Sequence, residues 1–215
     1  TNLAIADLMR ARSAAEALAL APRIGVPQQN LVVGDRDGHI GWSIIGRIPT
    51  DAAAMMAADS ILWREPSAER QLLHPESGLL WTANARAIEG EAERAIGNDE
   101  VEIGVGYALG ARARQIRDAL RALTAPVSPG DMLRIQLDDR ALFLDRWRRL
   151  MLGVLDEEAV KNAPQRIELK RWVESWDARA AVDSVGYRIV RMFRDQTERS
   201  VWRMLMRGIG LDDDT

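Results

Sequence analysis

The stretch SGLLWTANARAI, residues 77 to 88, sets one asparagine, Asn84, among small and apolar neighbours. A side-chain amide carries two N–H donors and a carbonyl acceptor, and in apolar surroundings these need partners or they destabilise the fold. Local composition leaves open whether Asn84 is a turn residue closing a strand, in keeping with the turn preference of Asn, or an amide kept for chemistry. Other reactive side chains are few. The chain has no cysteine, so it holds no thiolate nucleophile, disulfide or Cys-bound metal. Its two histidines, His39 and His74, are too few for a His-based zinc site. Asp35 and Asp37 in GDRDGH are read as turn residues, and Gln28, Gln29 and Asn30 as satisfying backbone groups at the hairpin entrance.

The elements that must position these residues fall into two kinds. Residues 3 to 21 repeat apolar positions at three and four with no proline before Pro22, which predicts one helix. Ile40, Trp42 and Ile44 alternate after DRDGH, which predicts a hairpin with strands near 30–35 and 39–47 and a loop using Gly38 for positive φ. A further strand is expected in the first half of residues 77–88, behind a HPESG turn. Beyond about residue 110 the pattern becomes helical: GARARQIRDALRAL, a run opened by the start signal SPGD, then ELKRWVESW, then DSVGYRIVRMFRDQTERSVWRMLM. In the last run Val182, Val185, Ile189, Phe193, Val201 and Leu205 trace a stripe expected to be buried, broken near Gln196.

With 215 residues and 47% apolar content, the chain is long enough for a real core and reads as globular. Its formal charge is -3, and 32 acids are interspersed with 29 bases, of which only Lys161 and Lys170 are lysines, so no nucleic-acid partner is expected. No apolar run approaches the roughly 18 residues of a membrane span, and no basic-then-apolar leader opens the sequence.

Four blocks together, PQQNLVVGDRDGHIGW, PESGLLWTANAR, GYALGARARQIRDAL and IQLDDRALFLDRW, resemble in order and spacing the β-chain of the penicillin acylases (penicillin amidases), which are N-terminal nucleophile hydrolases. The resemblance runs from about residue 15 to about residue 205. It implies an α+β fold in which residues 1–110 supply part of an αββα core (helix, hairpin, further strand) and residues 111–215 a helical region of the same β-chain. It implies cleavage of the amide bond of an acylated small molecule: a β-lactam, an acyl-homoserine lactone or a peptide-like amide. Asn84 aligns with the asparagine whose amide donates to the oxyanion hole, and Arg112 with an arginine that helps orient it. Pro49 aligns with a proline whose carbonyl binds a structural calcium in some members, and Asp99 is the nearest carboxylate to another ligand position. No cofactor is implied for catalysis.

The resemblance further implies an exported, self-cleaving precursor, periplasmic or secreted, whose nucleophile is a serine at a new N-terminus. Thr1 is not read as that nucleophile, because TNLAIADLMRARSAAEAL runs straight into a helical pattern in which Thr1 or Asn2 would be a cap. The serine is expected outside this chain, as are the α-chain and other β-chain segments that would be its partners. On this reading the chain is an internal fragment, inactive alone and prone to self-association through uncovered apolar surface. TDAAAMM follows Pro49 where many members carry an arginine, and Thr50–Arg70 matches poorly, so the acyl specificity stays open. A reading from another class is a non-enzymatic α+β interaction module that presents Trp147, Trp172, Trp176 and Trp202 to a partner.

Overall fold

A computed structural model describes residues 2–49, 63–64, 71–85, 108–124 and 126–209. The chain is α+β and divides into two compact units, Thr1–Val127 and Ser128–Thr215. The division falls beyond the helix that starts at Ala111, so this helix belongs with the first unit, whereas the sequence reading set its boundary at 110/111.

The single helix expected over residues 3 to 21 is in fact broken. A 3-10 helix spans Ala4–Arg10, and helix α1 follows over Ala14–Leu20. The break has a local cause. Ser13 takes an extended conformation and its hydroxyl accepts from Glu16 N, while the Glu16 carboxylate accepts from Arg12 N, so a helix N-terminus is built in the middle of the run. Asp35 adds a tertiary acceptor for Ala14 N.

Strands β1 (Gln29–Gly34) and β2 (Ile40–Ile45) form the expected hairpin, with Val32 opposite Trp42 and Gly38 at φ 85 in its turn. Trp42, Ser43, Ile44 and Ile45 are all buried, so β2 is covered on both faces. Asn30 satisfies a side chain rather than the backbone: its Oδ1 accepts from Trp42 Nε1 at 2.9 Å. Two short strands, β3 (Ile48–Pro49) and β4 (Trp63–Arg64), pair with each other. The third strand of the main sheet is β5 (Gln71–Leu73), which lies antiparallel to β2. It precedes the position where the sequence reading placed a strand. Residues 77–83 make no ladder among the described residues: Gly78 N closes a turn onto Pro75 O, and pairing is confined to one parallel bridge, Ala85 with Ala108. Helix α2 (Ala111–Arg121) completes the unit.

In the second unit, α3 (Pro129–Gln136) opens with a capping box between Ser128 and Asp131, the start signal read from SPGD. Helices α4 (Asp145–Val154), α5 (Glu157–Val160), α6 (Pro164–Glu174) and α7 (Val185–Gly208) follow. Leu144, Met151, Leu155, Val173, Trp176 and Val190 form their core. The stripe expected on α7 is met at its centre, where Ile189 and Phe193 pack against this core, but not at its ends. Val182 is 99% exposed, and Val201 and Leu205 are exposed too, whereas Gly186 and Val190 are buried. The helix also runs through Gln196 without a break. Gly186 joins that face through a close helix approach: a Cβ there would lie 2.4 Å from Trp176 Cβ and 2.8 Å from Trp172 O of α6. Trp176 and Trp147 belong to the core, which removes both from the surface proposed for a partner module; Trp172 and Trp202 are exposed.

Candidate functional site

Asn84 and Arg112, 28 residues apart in sequence, meet in the first unit. Asn84 has φ 53, the left-handed conformation that Asn adopts more readily than most residues. Its backbone is tied down on one side by Ala108 N, which donates to Asn84 O at 3.0 Å beside the Ala85–Ala108 bridge. Ala85 is buried, which anchors the segment while the Asn84 side chain stands exposed.

The second tie comes from α2. Its first residue follows Gly110, which sits at φ 74 and turns the chain out of the bridge into the helix. Arg112, in the first turn, therefore reaches back. Its Nη2 donates to Ala83 O at 3.1 Å and to Asn84 Oδ1 at 2.6 Å. A guanidinium can only donate, so the Asn84 atom facing it is the carbonyl oxygen and the amide nitrogen points the other way. Among the described residues nothing accepts from Asn84 Nδ2. The site thus holds a side-chain amide with its acceptor end engaged by a cation and its donor end open. A charge-assisted bond of this kind is about twice as strong as a neutral one, and it polarises the amide so that Nδ2–H donates better. Farther along α2, the Arg121 guanidinium lies 5.4 Å from the Trp81 ring centre and closes the same segment onto the helix.

Pro49 and Asp99 are the other residues singled out in the sequence. Pro49 lies in β3, paired with Trp63, and Asp99 falls outside the described residues. Among the described residues three potential metal ligands gather only at the hairpin turn, where donor atoms of Asp35, Asp37 and His39 lie within 4.8 Å of one another. That cluster is a brace. Asp35 Oδ1 accepts from Asp37 N and His39 N, and Oδ2 accepts from Ala14 N and His39 Nδ1, which uses the carboxylate fully. These bonds, that from Ala14 N first, hold the Asp35 pKa down at about 2. Pro49 offers a calcium its backbone carbonyl, and Asp99, the carboxylate expected with it, falls outside the described residues.

The parts that sequence reasoning missed are the Ala83 carbonyl, the Ala108 N–H and the Gly110 turn. Gly110 alone left a signal, as a glycine directly ahead of a helical run.

The first unit thus offers a side-chain amide donor steadied by a guanidinium. The family model for penicillin amidase matches residues 1–213 of this chain, which therefore belongs to the penicillin amidase family. No curated protein matches it. Family membership places it among the acylase-like amidohydrolases. No helix among the described residues is long and apolar enough to cross a membrane.

Proposed function

We propose that this chain supplies the oxyanion-stabilising side of an amidase site, with Asn84 Nδ2–H as the donor and Arg112 as the residue that orients it. The observation that carries the reading is the 2.6 Å bond from Arg112 to Asn84 Oδ1, which leaves the amide N–H directed away from α2. When a nucleophile adds to an amide carbonyl, negative charge collects on one oxygen. A donor already fixed toward that oxygen stabilises the transition state more than the planar ground state, and so raises kcat more than it lowers KM.

The nucleophile is assigned to a segment of the protein other than the described residues. Five of the described hydroxyls serve local structure: Ser13, Ser128 and Ser184 cap helices, Ser43 is buried at 1% exposure, and Ser175 bonds Trp172 O. The residues after Asn2 form a helical turn rather than a strand, which supports reading Thr1 as non-catalytic. The fuller proposal is an αββα enzyme with an N-terminal serine made by self-cleavage, periplasmic or secreted. It would act on acylated small molecules such as β-lactams or acyl-homoserine lactones and carry a structural calcium near Pro49 and Asp99. The test is turnover of chromogenic acyl anilides. The whole processed protein should release the aniline, and residues 1–215 alone should not. Turnover by residues 1–215, abolished by Thr1→Val, would overturn the assignment of the nucleophile.

A further inference from the structure

The oxyanion reading leaves open what sets the rotamer of Arg112, and the answer lies in the five residues Ala108 to Arg112. Ala108 N is bonded to Asn84 O. Two residues on, Gly110 is left-handed at φ 74 and ψ 2, an unusual state for the residue that opens a helix, where extended backbone is the rule. Two residues further, Arg112 bonds Ala83 O and Asn84 Oδ1. The chain thus touches the Asn84 segment, reverses, and touches it again, and the reversal rests on one torsion. Arg114 N donates to Gly110 O at 2.8 Å, so the first helical turn is built on the same residue.

We infer that Gly110 is a positioning residue for the proposed oxyanion donor: its left-handed backbone sets where Arg112 stands, and Arg112 in turn sets the direction of the Asn84 amide. The inference rests on the oxyanion reading. Space is not the reason for glycine, because a Cβ at this position would meet nothing nearer than Ala85 Cβ at 3.9 Å. The requirement is conformational. L-residues other than Asn and Asp resist the left-handed region, so alanine would draw Gly110 toward negative φ and swing the start of α2 away from Ala83 and Asn84.

The experiment compares Gly110→Ala, Gly110→Asn, Asn84→Ala and the double variant Asn84→Ala/Gly110→Ala in the whole processed protein, on a chromogenic acyl anilide. Gly110→Ala should lower kcat by about ten- to a hundredfold, the loss brought by a misplacement near 1 Å, with KM changed by less than about threefold. Gly110→Asn, which tolerates positive φ, should restore most of kcat. The double variant should be no slower than Asn84→Ala alone, because Gly110 acts through the amide. Equal loss in Gly110→Ala and Gly110→Asn, or no loss in Gly110→Ala, overturns the inference. So does a double variant slowed by the full product of both factors, which would leave the oxyanion role of Asn84 standing. If Asn84→Ala alone keeps kcat, the oxyanion reading itself has failed, and the positioning role of Gly110 fails with it.

Discussion

Arg112 Nη2 donates to Asn84 Oδ1 at 2.6 Å, and the same nitrogen donates to Ala83 O at 3.1 Å. One side chain on α2 therefore holds both the Ala83 carbonyl and the Asn84 amide, 29 and 28 positions away. A left-handed Asn alone would be a turn residue; a left-handed Asn whose carbonyl end is held by a cation is a donor with one direction left to it.

Replacing the orienting group should cost activity without unfolding the protein, because Arg112 is exposed and its bonds are all to the Asn84 segment in the described structure. Arg112→Gln in the whole protein should lower kcat by roughly ten- to a hundredfold, as the amide becomes free to rotate away. Arg112→Lys should recover part of this, since an ammonium reaches one acceptor well but lacks the planar fork. Steady-state kinetics of both variants beside a melting curve would separate this from a folding defect. A fall in Tm matching the fall in rate would argue against an orienting role.

The Asp35 brace gives a pH dependence of stability. Its carboxyl titrates at about 2 in the folded chain against 3.8 for an ordinary aspartate, chiefly because Ala14 N donates to it. The unfolded chain therefore takes up this proton first. The stabilisation is complete above the unfolded value and is lost as pH falls from about 4 toward 2. Asp35→Asn should lower Tm at neutral pH and flatten the acid limb of a Tm-versus-pH profile over that window. An unchanged profile would show that the hairpin-to-α1 tie adds no stability.

Close packing at Gly186 makes a separate prediction for the helical unit. A methyl group there would lie 2.4 Å from Trp176 Cβ and 2.8 Å from Trp172 O, and the latter is backbone that cannot step aside cheaply. Gly186→Ala should destabilise by about 2 kcal/mol, within the range of overpacked cores, and should shift a chemical denaturation midpoint downward. Retention of the midpoint would show that α6 and α7 can separate at little cost.

The limits of reading this chain from sequence are physical ones. The hairpin was legible because β1, β2 and the Gly38 turn are encoded within eighteen consecutive residues, Gln28 to Ile45. The break at Ser13 was legible too, in the Ser13 to Glu16 capping spacing, but the alanine- and leucine-rich run around it masked the signal. The buried face of α7 was legible at Ile189 and Phe193 only, because apolar spacing alone cannot tell that a glycine, Gly186, takes the closest contact. For the same reason Trp147 and Trp176 could not be separated from Trp172 and Trp202 before packing was known. The pairing of Asn84 with Arg112 carries no local signal, and only the resemblance of TANAR and GARARQI to a known family brought the two residues together in advance.

The central claim is that the Asn84 amide donates to the developing oxyanion, and Asn84→Ala in the whole processed protein tests it most directly. Loss of one such donor removes about 3 to 4 kcal/mol of transition-state stabilisation. The expected result is a kcat lowered by roughly a hundred- to a thousandfold, KM nearly unchanged, a folded protein, and a substrate that binds and stays uncleaved. A kcat within about threefold of the parent together with a lowered Tm would contradict it, and would make Asn84 the turn residue that its positive φ also permits.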